Sequence, residues 1–145
     1  MSTTHEQYWE SYLARVDSLE LRQELRVHTK DILHMLSKFD DRFPAVIDVG
    51  PGWIHIIAKL HNAIFMMNPN YKIAQVKQKF GGLRYYIDLY FQEHEDVQTI
   101  KKIVNNLVYV AEHQASETCE KCGEPGKLTK KNMYYTTSCD ECKII

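Results

Sequence analysis

At 145 residues the chain fits one domain, or one domain with a small appendage. Its 44% apolar and 26% charged residues are ordinary for a globular protein, and a net charge of -1 with a pI near 6.6 excludes recruitment to nucleic acid or anionic membrane by bulk charge. There is no low-complexity tail, internal repeat or apolar run of bilayer-spanning length, and MSTTHEQYWE lacks the basic-then-apolar pattern of an export signal, so a soluble protein kept in a reducing compartment is expected.

Thr3 and Thr4 precede Glu6 and Gln7 at capping-box spacing, and Tyr8, Tyr12, Val16 and Leu19 then recur at helical spacing, which predicts a helix over about 4–18. A second stripe, Leu21, Leu25, His28, Ile32, Met35, Leu36 and Phe39, continues the pattern with Asp17 or Ser18 as a cap. A break near 18 and one long bent helix both fit. Pro44 and the residue before it close the helical region. Ala45 to Val49 reads as a short strand and Gly50-Pro51-Gly52 as a turn. A helix then starts near Pro51, with Trp53, Ile56, Ile57, Leu60, Ile64 and Phe65 inward, until Asn68-Pro69-Asn70 stops it.

From Lys72 to Tyr90, alternating character on both sides of Gly81-Gly82 predicts a β-hairpin with a two-residue primed turn. With Phe80 opposite Leu83, Lys79 faces Arg84 and Lys77 faces Tyr86. One face is then core (Ala74, Val76, Phe80, Leu83, Tyr85, Ile87, Leu89) and the other wet (Gln75, Lys77, Lys79, Arg84, Tyr86, Asp88, Tyr90). Glu93, Glu95 and Asp96 suit the start of a further helix, whose stripe of Val97, Ile100, Ile103, Val104, Leu107, Val108 and Ala111 runs to about Glu117.

That helix leads into the strongest chemical signal in the chain. Cys119, Cys122, Cys139 and Cys142 form two Cys-x-x-Cys pairs, each able to grip one ion from a tight turn and together supplying the four corners that Zn2+ accepts. Without an export signal, metal is favoured over two disulfides. A site with four cysteine ligands is closed to substrate, so this zinc is expected to be structural, contributing on the order of 10 kcal/mol to a segment with little core of its own. Gly123 and Gly126 suit the turns, and Lys127–Thr129 with Tyr134–Thr137 form a small hairpin between them. The expected organisation is an α+β domain over 1–117 and a zinc ribbon over 118–145. A helix growing from the second cysteine turn, as in treble-clef fingers, is not expected with only Lys143, Ile144 and Ile145 following Cys142.

QVKQKFGGLRYY at 75–86, GPGW at 50–53, and the terminal CEKCGEPGKL followed by SCDEC resemble a family of small bacterial and bacteriophage proteins, over roughly residues 44–142. The resemblance implies a bacterial or phage-infected cytoplasm and a zinc-bearing C-terminus, and carries over no catalytic residue.

No phosphate loop, His-Glu-x-x-His or Gly-x-Ser-x-Gly is present, and the seven histidines show no ligand-like grouping. A binding protein is therefore expected in preference to an enzyme. Residues 44–92 hold two acids, Asp48 and Asp88, against Lys59, Lys72, Lys77, Lys79 and Arg84. Lys77, Lys79, Arg84 and Tyr86 on the wet face, with Lys130 and Lys131 on the ribbon, form the candidate anion or nucleic-acid surface. The bland alternative is a solvated face. Two other readings stand beside it: a protein-interaction or host-modulating factor using an aromatic N-terminal face (Tyr8, Trp9, Tyr12), and a small-ligand or nucleotide site near the hairpin. No membrane association is expected.

Overall fold

The computed structural model describes residues 4–142. Helices α1 (Thr4–Ala14), α2 (Leu19–Arg26) and α3 (Thr29–Ser37) come first, then strand β1 (Ile47–Asp48), a 3-10 turn at Pro51–Trp53 and helix α4 (Ile54–Met67). Strands β2 (Lys72–Lys79) and β3 (Gly82–Asp88), helix α5 (Val97–Ser116) and strands β4 (Lys127–Lys131) and β5 (Tyr134–Ser138) complete an α+β fold. One sheet has the order β1-β2-β3, with β1 parallel and β3 antiparallel to β2; β4 and β5 form a separate antiparallel pair.

The N-terminal region breaks twice. Ser18 caps α2 by accepting the Leu21 N–H at 3.1 Å, whereas the second break, at Val27–His28, has no side-chain cap. It sets α3 so that Ile32, Met35 and Leu36 are buried where α3 packs on α1 and α4. Thr3, half of the expected capping box, lies outside the described residues, as do Lys143 to Ile145.

The aromatic N-terminal face is not a surface. Trp9 is 1% exposed, its indole N–H donates to Thr29 Oγ1 at 2.9 Å, and Tyr12 is buried with its hydroxyl donating to the Val49 carbonyl at 2.7 Å. The Tyr8 hydroxyl accepts the Ile47 N–H at 2.7 Å, so α1 holds the short strand β1 through two tyrosines. Helical spacing marks a face that must be covered, and here the chain covers its own.

Helix α4 is the centre of the core, burying Ile54, Ile56, Ile57, Ala58, Leu60, His61 and Ile64. Helices α3 and α5 pack on it, and α5 also packs on β3. Asp96 caps α5 by accepting the Thr99 N–H; Val104 and Ala111 of its stripe are buried, while Ile103 is exposed.

The hairpin turns one residue earlier than expected. Phe80 and Gly81, with φ of 54° and 81°, are its two turn residues, and Lys79 pairs with Gly82, Gln78 with Leu83, Lys77 with Arg84, Val76 with Tyr85 and Gln75 with Tyr86. Two left-handed residues make a type I′ turn, at a cost of roughly 1–2 kcal/mol for the non-glycine Phe80. Gly81 is held there because its N–H donates to Gln78 Oε1 at 2.5 Å and its carbonyl accepts the Thr137 hydroxyl at 2.7 Å. The slip keeps Val76, Leu83 and Tyr85 buried but puts Phe80 in solvent, 68% exposed, rather than in the core. A register shift at Ala74 brings Ile73 opposite Ile87, and Ile73 takes the buried position expected for Ala74.

Candidate metal centre and basic sheet face

Cys119 and Cys122 lie on the turn after α5, and Cys139 and Cys142 on the turn after β5. Their four Sγ atoms lie within 4.8 Å of one another, with Cys122 Sγ and Cys139 Sγ 3.6 Å apart. Metal–sulfur bonds near 2.3 Å in a tetrahedron require S···S edges of about 3.8 Å, so the set could hold one metal ion. Burial raises the Cys119 thiol, but backbone N–H groups of Cys139, Cys122 and Lys121 outweigh it and bring it down to about 7. Burial and the neighbouring thiols push Cys142 well above the usual thiol range. A cation reverses that cost, because thiolates crowded this closely ionise together only around positive charge.

The cysteine turns are docked on the rest of the chain through the glycine motifs. The Gly52 N–H donates to the Glu120 carbonyl at 2.7 Å, the Gly50 N–H to Glu120 Oε2 at 2.8 Å, and the Trp53 indole N–H to the Thr118 carbonyl at 2.8 Å. A Cβ on Gly52 would stand 2.1 Å from the Cys119 carbonyl oxygen and 2.5 Å from the Gly123 nitrogen. Backbone meets backbone here. At the hairpin tip, Gly81 lies against Leu128, and Thr137, buried at 1% exposure, donates to the Gly81 carbonyl. GPGW thus seats the first cysteine turn, and Gly81 of the hairpin tip seats the β4–β5 pair.

The outer face of β2–β3 carries Lys77, Lys79, Arg84 and Tyr86. Lys77 lies directly opposite Arg84 on one side and beside Asp48 of β1 on the other, and its ammonium sits 5.7 Å from the Tyr86 ring centroid. Tyr86 is 43% exposed, and Lys79 is exposed with its ammonium over Phe80. The like-charge pair expected between Lys79 and Arg84 is therefore made by Lys77 and Arg84. A shallow cleft of about 190 Å³ beside this face takes in Asp48 and Lys77 but not Arg84.

Lys130 and Lys131 do not share a surface, because consecutive strand residues point to opposite faces. Lys130 pairs with Tyr135 on the face of Leu128 that meets the hairpin tip, and Lys131 pairs with Tyr134 on the other. Only Lys130 lies on the hairpin's side of the ribbon.

Comparison with protein-family profiles, with curated proteins and with solved structures finds no match.

Two histidines expected to be ungrouped do meet. His34 Nδ1 lies 2.7 Å from His61 Nε2, His61 Nδ1 bonds the Tyr71 hydroxyl, and Tyr71 lies 2.9 Å from the Tyr85 hydroxyl. Counting protons orients the chain. Tyr85 has Tyr71 as its partner and donates to it, Tyr71 donates to His61 Nδ1, and His61 Nε2–H donates to His34. His34 is exposed and His61 fully buried, so the row runs from surface to core. Only the packing of α3 on α4 joins it, which the separation of 34 from 61 in sequence could not announce.

Proposed function

We propose that the protein is a zinc-stabilised, non-enzymatic binding module whose outer β2–β3 face engages the phosphate backbone of a nucleic acid. The observation that carries this reading is the juxtaposition of Lys77 and Arg84, directly opposite each other with Tyr86 beside them. Like charges across a strand pair disfavour the fold by a few tenths to about 1 kcal/mol, and phosphate oxygens between them remove that cost. The exposed Tyr86 and Tyr90 offer rings on which unpaired bases stack. Zinc is the ion that suits four thiolates in a closed tetrahedral set, and its role is to order residues 118–142. The setting in this reading is the cytoplasm of a bacterial or phage-infected cell, a reducing compartment in which such cysteines stay available for metal.

The test is fluorescence anisotropy of labelled single-stranded DNA and RNA at rising salt. Binding at low salt that weakens linearly in log–log form is expected, with Lys77→Ala reducing the slope by about 0.7, one phosphate contact on a single strand. Tyr86→Ala should weaken binding by roughly 10-fold, within the range for loss of one stacking ring. No binding at low salt, or binding indifferent to both substitutions, overturns the reading.

A further inference from the structure

A cleft of about 470 Å³ lies on the ribbon face turned away from the hairpin tip, between the Gly50–Pro51 loop, the first cysteine turn and the outer side of β4–β5. Its volume falls in the range of small-molecule sites. Glu120, Lys121, Lys131, Tyr134 and Thr136 line it. A plain anion would meet the Glu120 carboxylate, and a plain cation the two lysines. The lining therefore suits a ligand that carries hydrogen-bond donors and an anionic group together.

Glu120 is rigidly placed. Its N–H donates to the Thr137 carbonyl at 2.9 Å, its carbonyl accepts the Gly52 N–H, and one carboxylate oxygen accepts the Gly50 N–H. No other group among the described residues hydrogen-bonds that carboxylate. Thr129, Thr136 and Ser138 form a row of hydroxyls joined at 3.1 and 3.0 Å, and Tyr134 offers an exposed ring beside it.

We propose that this cleft binds a guanine nucleoside monophosphate, with the adjacent N1–H and N2–H donors of the base on Glu120, the ring against Tyr134 and the phosphate on Lys121 and Lys131. A carboxylate meets two neighbouring donors of guanine, whereas adenine presents one amino group and no adjacent ring N–H on that edge.

The test is an amide-resonance titration of the full metal-loaded chain with guanosine 5′-monophosphate, adenosine 5′-monophosphate and inorganic phosphate. Saturable shifts at Gly50, Glu120 and Thr129–Ser138 are expected, with guanosine favoured over adenosine by at least about fivefold, the low end for a bidentate base contact. Glu120→Gln keeps an oxygen for the Gly50 N–H, so it should fold and yet lose that preference. Lys131→Ala should weaken both nucleotides alike. Absence of shifts in the cleft, phosphate alone binding as tightly as the nucleotide, or a guanine preference that survives E120Q each overturns the proposal. Lys77 lies on the other sheet, so K77A leaves this titration unchanged, and the nucleic-acid reading of the hairpin can fail while this one stands.

Discussion

Gly52 and His61 are the residues on which stability is most narrowly placed. Any side chain at Gly52 collides with the backbone of the first cysteine turn, at 2.1 Å from the Cys119 oxygen, and neither partner is a flexible side chain that could move aside. Gly52→Ala is expected to cost about 1–3 kcal/mol, the range for overpacking, and to speed metal loss to a chromophoric chelator. His61 is a different case. Burial first, and then its neighbour His34, lower its pKa from 6.5 to about 4, with Lys38 acting in the same direction and Asp31 against it. A base with a lowered folded pKa binds its proton more readily when unfolded. Its contribution is therefore complete above about pH 6.5 and is lost as pH falls towards 4, amounting to about 3 kcal/mol. Acid also protonates the thiols. The His61 share is accordingly read as the difference in urea midpoint, between pH 7 and pH 4.5, of wild type and His61→Phe: the variant should be less stable at pH 7 and lose less on acidification.

At the level of elements, the hairpin shows how pattern and packing divide the work. Alternation identified both strands and both faces, because a core-facing period of two survives any slip that keeps parity. It could not place the turn, since Gly81-Gly82 and Phe80-Gly81 are both two-residue connections. The turn was decided by Thr137 and Leu128, more than 45 residues downstream, which hold Gly81 at its tip. Phe80 is left with φ of 54° and an exposed ring. Phe80→Asn, a residue that tolerates the left-handed region, should raise stability by about 0.5–1 kcal/mol in urea denaturation, less whatever the exposed Lys79–Phe80 contact contributes. A loss of stability would show that the ring packs on something in solution. The helices divide similarly. The acidic start of α5, Ser18 as one of two candidate caps of α2, and the α4 and α5 stripes were legible, whereas the Val27–His28 break was not, because no capping side chain marks it.

For the whole molecule, the cysteine unit joins parts far apart in sequence. Its removal should therefore be felt beyond it. Chelation is expected to raise amide exchange at Gly50 and Gly52, whose N–H groups are held by Glu120, and to shift Trp53 fluorescence to the red as its indole loses the Thr118 carbonyl. Amides of Ile57 and Ile64 in α4 should remain protected, because both residues are buried in a helix that packs against α3 and α5. Loss of protection in α4 at the same rate would mean that metal and core unfold as one unit.

The sequence by itself determined the helical and strand regions, though not the number of N-terminal helices, together with the α+β class and the four cysteines, since each is written in a local period, cap or spacing. Only the tertiary structure decided what the other motifs are for. Trp9 and Tyr12 are core, with Tyr8 packed half-buried beside them, because α1 folds back on β1 and α3, while Gly50 and Gly52 leave space for the first cysteine turn and Gly81 for the β4–β5 pair. His34 and His61 meet because α3 crosses α4, and Lys130 and Lys131 part because a strand alternates. Contacts between distant segments depend on shape and close approach, and a one-dimensional pattern records neither.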